Sequence, residues 1–195
     1  MMIYDLLRLA HNIGAILIGA GLVGVWMNDL RSRQTSELVR FSESVRNIAV
    51  FYDGVVVPGA IILLISGTWM IISFYGGWHF INIPWLAGMV FLFAFEFIEG
   101  NTITRIYFMR LNRLTEEALQ TGAFTPELEK ARTENMPTFT HFLDLPILFL
   151  IVTLGVLKPD HWNLFIIGSM LAIAIATALM LFIPQLYSRT QREIK

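Results

Sequence analysis

Two carboxylates interrupt an otherwise apolar stretch of the chain, FLFAFEFIEGNTITR, at Glu96 and Glu99. A second pair of ionisable residues, His141 and Asp144, has the same spacing of three residues. Residues three apart share one face of a helix, so each pair can act at a single site. Carboxylates and imidazole bind divalent metals, and in a membrane they also exchange protons. The pairs therefore predict a metal site, a proton-exchange site or, where arginines neutralise the acids, a structural ion-pair network.

The residues around these pairs have the composition of a membrane protein. Of the 195 residues, 55% are hydrophobic and 15% are charged, against about 25% charged in soluble domains. Apolar runs long enough to cross ~30 Å of hydrocarbon recur at about residues 4–27, 48–74, 84–107, 138–157 and 164–186. We therefore expect an all-α bundle of five transmembrane helices. A net charge of −1 argues against nucleic-acid binding.

The whole chain, residues 1–195, is predicted to form one transmembrane domain with polar linkers at about residues 28–47 and 108–137. In the second linker, a break near Gly122 is followed by Thr125 and Pro126, which are typical N-cap and first-turn residues of a short helix. All but two of the 14 Lys and Arg residues lie in the two linkers, just before the second one at Arg105, or in the C-terminal tail. The positive-inside rule then places the N-terminus outside and the C-terminus in the cytoplasm.

This topology places the buried ionisable residues at similar depths. At 1.5 Å per residue they lie roughly 5–16 Å below the cytoplasmic edge, on the second, third and fourth spans. Glu96, Glu99 and Asp144 are the candidate proton-handling residues. The candidate metal ligands are His11, Asp53, Glu96, Glu99, His141 and Asp144. In the structural alternative, the acids pair with Arg46, Arg105 and Arg110.

His11 belongs to the other half of the membrane and has two interpretations. Small residues, among them Gly14 and Gly21, continue its helix face. They leave room for a flat cofactor, or they let helices pack closely while His11 hydrogen-bonds a neighbour. Met89 on the third span lies near the same depth. Histidine and methionine form a known axial pair for haem iron, although methionine also fills gaps in ordinary cores.

Four stretches in order carry a resemblance to a known superfamily: LLRLAHNIGAILIGAGLVGVW, SVRNIAVFYDGVVVPGAIILLISGTWM, PWLAGMVFLFAFEFIEGNTITRIYF and FLDLPILFLIVTLGVLKP. The chain resembles the superfamily that joins the HemJ-type membrane protoporphyrinogen oxidases with the CopD-like proteins. It also resembles an uncharacterised family of predicted integral membrane proteins within that group. The resemblance covers about residues 4–159 and leaves out the fifth span.

The resemblance implies a haem-b-binding helical bundle in the bacterial cytoplasmic membrane, with His11 as an axial ligand. It implies that Arg46 pairs with a haem propionate or with Asp144, and that Asp144 takes the acidic role of the fourth span. In the oxidases a lysine follows the Trp-Leu of the third span. Here the stretch is WLAGM and Met89 occupies the matching place, which argues against porphyrinogen oxidation and leaves haem binding.

The leading hypothesis is therefore a haem-b membrane protein, an oxidoreductase acting in electron transfer or in porphyrin- or quinone-linked oxidation. Its expected partners are the lipid bilayer and a quinone, a porphyrin or a redox protein, with homo-oligomerisation left open. One alternative is a membrane protein that binds a divalent transition metal through carboxylates and histidine. Another is a non-catalytic accessory subunit whose acids only pair with arginines, such as Glu99 with Arg105.

Overall fold

The computed structural model describes residues 2–193, with side chains for residues 2–183, and within that range it contains helices and no strand. The α-helices are α1 (Met2–Gln34), α2 (Leu38–Phe51), α3 (Val57–Phe74), α4 (Pro84–Glu99), α5 (Arg105–Thr121), α6 (Pro126–Arg132), α7 (Asn135–Leu157) and α8 (Asn163–Glu193). Single π-helical segments join α2 to α3 (Tyr52–Val56) and α4 to α5 (Gly100–Thr104), and a 3-10 helix, Gly77–Asn82, precedes α4.

Five helical segments are long and apolar enough to cross a membrane, which confirms the predicted all-α membrane bundle. They are Met2–Gln34, Leu38–Phe74, Pro84–Thr121, Asn135–Leu157 and Asn163–Ile183. In the bundle, α1 packs against α2 and α3, and α7 packs against α4 and α8. The orientation with the N-terminus outside stays a prediction. Three of the basic residues on which it is based lie in the C-terminal tail, outside the residues whose side chains the structure describes.

The segments predicted as linkers are largely helical. Helix α1 continues to Gln34 and α2 begins at Leu38, so residues 35–37 alone connect them. The apolar faces of α2 and α5 explain this, because Phe41, Ile48 and Leu111 are buried in one cluster. An amphipathic helix outside the hydrocarbon gains stability by burying such a face.

The predicted break and cap in the second linker are confirmed. Gly122 ends α5 with a φ of 74°, a left-handed conformation that glycine adopts without a steric penalty. The Thr125 hydroxyl accepts a hydrogen bond from the backbone N–H of Leu128 at 3.3 Å, and Pro126 begins α6.

Close packing between α1 and α3 accounts for the small residues below His11. A Cβ atom at Gly14 would lie 2.9 Å from the backbone oxygen of Gly59, and one at Gly21 would lie 2.6 Å from Cγ2 of Val56. At Gly14 and Gly21 there is therefore no space for a cofactor, and close helix packing is confirmed at these two positions. A cofactor beside His11 stays a prediction.

We expect Gly14→Ala to destabilise the bundle by about 1–3 kcal/mol, the usual cost of overpacking. The new methyl group would meet backbone atoms of Gly59 and Leu63, which cannot move aside as a side chain does. Gly54→Ala is the control, since a Cβ atom there meets nothing within 4 Å. Thermal aggregation of the detergent-solubilised variants, followed by size-exclusion chromatography, measures the difference. Equal thermal stability of the two variants would contradict this packing.

Candidate functional site

A cavity of about 670 Å³ lies between α1, α3, α4 and α7, and both His11 and Met89 line it. Its size falls within the roughly 300–1,000 Å³ typical of ligand pockets. The lining is mostly aliphatic and aromatic, with Leu63, Val90 and Phe93 among its walls. The structure thus brings together two candidate ligands that are 78 positions apart in the chain.

The imidazole of His11 is oriented by Ser66 on α3. Its Nδ1 lies 3.2 Å from the Ser66 hydroxyl, and that hydroxyl donates to the carbonyl oxygen of Ile62 at 2.7 Å. Because the Ser66 proton is engaged, the hydroxyl oxygen accepts from Nδ1–H of His11. This tautomer leaves the Nε2 lone pair available, which is the arrangement that metal-bound histidines generally have.

Each candidate axial ligand lies against a glycine of a neighbouring helix. A Cβ atom at Gly67 would lie 3.1 Å from Cε1 of His11, and one at Gly155 would lie 3.1 Å from Cε and 3.2 Å from Sδ of Met89. Any larger residue at either position would press on the ligand side chain. The glycines therefore allow the imidazole and the thioether to lie close to α3 and α7.

Two cations line the same cavity, Arg8 and Lys158. Arg105 aside, they are the two basic residues outside the linkers and the tail. The Lys158 ammonium group lies 5.2 Å from the centre of the Trp85 ring. An apolar cavity with two cations suits a ligand with an apolar body and acidic substituents. Sequence reasoning counted both residues only for topology, although their isolation was a usable signal.

Arg46, by contrast, is exposed on α2 and is not among the residues that line this cavity. Arg46 was expected to pair with a haem propionate. In the structure, Arg8 and Lys158 are the cations that a ligand in this cavity could reach. Its predicted pairing with Asp144 is not formed either, because Asp144 is 3% exposed and its neighbours are His141 on α7 and the acids of α4.

A second cavity, of about 250 Å³, is lined by two of the predicted acids, Glu96 and Asp144. Glu96, Asp144, Tyr52 and Asn101 are its polar lining residues. The carboxyl groups of Glu96 and Asp144, from α4 and α7, lie within hydrogen-bonding reach of each other. A hydrogen bond between two carboxyl groups requires a proton between them, so this pair is suited to holding and releasing one proton.

Glu99 lies beside this pair and is held by the π-helical segment. Its Oε1 accepts a hydrogen bond from the hydroxyl of Thr104 at 2.8 Å, and the Thr104 and Thr140 hydroxyls are 3.2 Å apart. Thr104 is five residues after Glu99, and residues five apart lie above one another in a π-helical turn. Such turns are frequent at functional sites. The other carboxylate oxygen, Oε2, is buried without a hydrogen-bond partner among the described residues.

His141 is fully enclosed between two carboxylates. Its Nε2 lies 3.6 Å from Oδ2 of Asp29 and its Nδ1 lies 3.6 Å from Oδ2 of Asp144. Asp29 in turn forms an ion pair with Arg33 at 2.8 Å. Sequence reasoning missed Asp29, because the first span was predicted to end before it. The longer α1 carries it into the bundle, where it is 1% exposed.

Asp53 lies apart from the other acids. It is half-exposed and forms an ion pair with Arg105 at 3.0 Å, while Arg110 pairs with Glu134. The structural alternative is therefore right that arginines pair with acids at this end of the bundle. It is wrong about the partner of Arg105, which is Asp53, whereas Glu99 binds Thr104.

The six candidate metal ligands do not converge on one point. His11 lines the larger cavity, Asp53 faces outward, and the remaining four lie around the smaller cavity. Among residues 2–183, no group of three or more histidine, aspartate or glutamate side chains is arranged to hold a metal ion. The carboxylate–histidine metal site therefore stays a prediction, because its candidate ligands are not brought together among residues 2–183.

Comparison with known families agrees with the membrane architecture. The model of a family described as predicted integral membrane protein (DUF2269) matches residues 5–159. The chain belongs to this family. The match spans α1 to α7 and leaves out α8, so the family region contains both cavities. No curated protein and no solved structure matches the chain.

A double-mutant cycle separates the two partners considered for Arg105. We expect Asp53→Asn and Arg105→Gln to be coupled by about 0.2–1 kcal/mol, the range for partly exposed ion pairs. The matched cycle of Glu99→Gln with Arg105→Gln should be additive, because Glu99 binds Thr104. Denaturation of the purified variants in detergent supplies the free energies. Coupling confined to the Glu99 cycle would contradict the assigned contacts.

Proposed function

We propose that this protein binds haem b in the larger cavity and acts in electron transfer or in porphyrin- or quinone-linked oxidation. The observation that carries the proposal is the cavity shared by His11 and Met89, with the Nδ1 of His11 engaged by Ser66. His11, through Nε2, and Met89, through its sulfur, are the residues that would hold the iron. When bound, haem supplies one-electron exchange, and methionine ligation favours the reduced iron.

The lining of the cavity supports this ligand class. Its aliphatic and aromatic walls match a porphyrin ring, and the cations Arg8 and Lys158 match the two propionates. Trp85, below the Lys158 ammonium group, holds that side chain at the cavity. The residues that line the cavity therefore match the ring, the iron and the propionates of haem b.

The likeness to HemJ-type oxidases and CopD-like proteins supports haem binding as a class property. We place the protein in the bacterial cytoplasmic membrane on the same ground. Met89 stands where the oxidases have a lysine, so we propose electron transfer to a quinone or a redox protein ahead of porphyrinogen oxidation. Glu96, Glu99 and Asp144 would accept or supply the protons that accompany such oxidations.

Purified protein should show the Soret absorption band of haem, and His11→Ala should reduce haem content at least tenfold because the anchoring ligand is lost. Met89→Leu should retain haem with a spectrum changed to five-coordinate iron and a lower midpoint potential, since the thioether no longer stabilises the reduced form. His79→Ala is the matched histidine control, because His79 lies in the 3-10 helix outside the cavity.

A protein that is folded and colourless after expression with ample haem supply would contradict the proposal. Retention of full haem content by His11→Ala would contradict the assignment of the axial ligand. Haem lost equally from His79→Ala would point to a general folding defect in place of a ligand effect.

The cations of the cavity give an independent prediction. Arg8→Gln and Lys158→Gln should each weaken haem affinity about fivefold, which corresponds to ~1 kcal/mol for one exposed charge pair. Haem transfer to an acceptor apoprotein measures the loss rate. The control is Lys130→Gln on the short helix α6, which lies outside the cavity. An unchanged loss rate in both cavity variants would contradict propionate binding at this end.

A further inference from the structure

A continuous series of five ionisable side chains, the middle three of them buried, connects one end of the bundle to the smaller cavity. The series is Arg33, Asp29, His141, Asp144 and Glu96. The two aspartates and His141 are each at most 3% exposed, whereas the Arg33 side chain retains 14% exposure. Burying so many ionisable groups is costly and is usually linked to function in a membrane.

We propose that Asp29, His141, Asp144 and Glu96 form a proton-conducting path from the Arg33 end of the bundle to the smaller cavity. The proposal goes beyond haem binding and does not require that the larger cavity holds haem. No sequence motif indicated it, because Asp29 and His141 come together only through the packing of α1 against α7.

The geometry at His141 is that of a relay. One ring nitrogen faces the carboxylate of Asp29 and the other faces the carboxylate of Asp144, both at 3.6 Å. These distances exceed a hydrogen bond by about 0.5 Å, a displacement within ordinary atomic motion. A small approach of either carboxylate therefore makes the bond through which a proton passes.

The transfer balances without any further reactant. A proton that enters at the Arg33 end binds the Asp29 carboxylate and passes to Nε2 of His141. The imidazolium then releases the proton on Nδ1 to Asp144, which shares it with Glu96. The ring is left neutral with its proton on Nε2. A half-turn of the ring brings that N–H to the Asp144 side and the free Nδ1 to the Asp29 side, which resets the relay.

Unpartnered polar atoms are concentrated at His141 on this path and at Glu99 beside it. Four buried side-chain nitrogen or oxygen atoms of the described residues lack a hydrogen-bond partner, and three of them belong to His141 and Glu99. Buried polar groups are rarely left this way in native structures, and functional sites are among the recognised exceptions. A purely structural histidine would be expected to have at least one ring nitrogen hydrogen-bonded.

Aromatic side chains insulate the path. The rings of Phe108 and Phe142 lie 5.3 and 5.4 Å from that of His141, centre to centre, and the indole N–H of Trp26 donates to the His141 carbonyl oxygen at 3.1 Å.

The other titratable or charged groups that face the path are Arg33 on α1, Tyr52 and Glu99 on the π-helical segments and their caps, Arg105 and Tyr107 on α5, and Glu134 before α7.

The two cavities share four wall residues, Leu63, Phe93, Leu148 and Ile151. The carboxyl pair is therefore separated from the larger cavity only by apolar side chains. A proton held by Glu96 and Asp144 lies next to whatever ligand the larger cavity accepts, which gives the path a destination.

The test is the rate of hydrogen–deuterium exchange at the buried carboxyl pair. After transfer of the purified protein from H₂O to D₂O, infrared spectroscopy follows the C=O stretch of the protonated carboxyl group, assigned by its loss in Glu96→Gln and Asp144→Asn. We expect the shift of this band to be at least tenfold slower in Asp29→Asn than in the native chain. Asp160→Asn, at the exposed turn between α7 and α8, is the matched control and should exchange at the native rate.

His141→Gln should slow the exchange to the same extent and replaces Asp29→Asn if that variant does not remain monodisperse. Native exchange rates in both path variants would overturn the proposal, as would the absence of any band removed by Glu96→Gln or Asp144→Asn. The haem content of the same samples is read separately from their visible spectra. A colourless protein with slowed exchange in Asp29→Asn would contradict haem binding and support the path.

Discussion

The hydrocarbon core of a membrane offers no hydrogen bonds, so every polar side chain placed there must be satisfied by the bundle itself. This constraint organises the whole structure. His11 binds Ser66, Glu99 binds Thr104, and Glu96 and Asp144 line the smaller cavity together. None of these groups has lipid as its main neighbour, and each links two helices or the two sides of a π-helical turn. The polar residues therefore hold the helices in register at two depths.

The two depths differ in chemistry. The larger cavity has an imidazole, a thioether and two cations, which are the groups that the proposed haem would need. The smaller cavity has carboxyl groups and a phenol, which is the chemistry of proton exchange. The two cavities share apolar wall residues. The proposed haem would therefore lie beside the carboxyl pair, and the proposed electron and proton chemistry would take place side by side.

Much of the fold was predictable, because membrane spans depend on composition summed over about twenty residues. The five spans and the Thr125 cap were predicted correctly, and the shared depth of His11 and Met89 followed from counting residues along straight helices. Features that depend on packing between helices were not predictable in this way. Helix α1 extends beyond its apolar run because its last turns contact other helices: Asp29 contacts His141 and Arg33 contacts Thr138, both on α7, and the Ser32 carbonyl contacts Arg132 on α6. No local pattern signals these contacts.

The partners of the acids also escaped sequence reasoning. A π-helical turn adds one residue to a helical turn, so it changes which side chains share a face beyond Gly100 and Tyr52. Asp53 consequently points outward to Arg105, although a simple count places it among the inner acids. In the same way, the sequence used Arg8 and Lys158 only as charges in the topology prediction. That they line one cavity could be seen only from the three-dimensional arrangement of α1 and α7.

A density map of the protein purified in lipid nanodiscs tests the central claim most directly. The account predicts a flat, iron-centred density in the larger cavity, bridging Nε2 of His11 and the sulfur of Met89, with its two acidic arms directed to Arg8 and Lys158. A well-resolved cavity filled by lipid chains or collapsed side chains, with His11 bound only to Ser66, would contradict it.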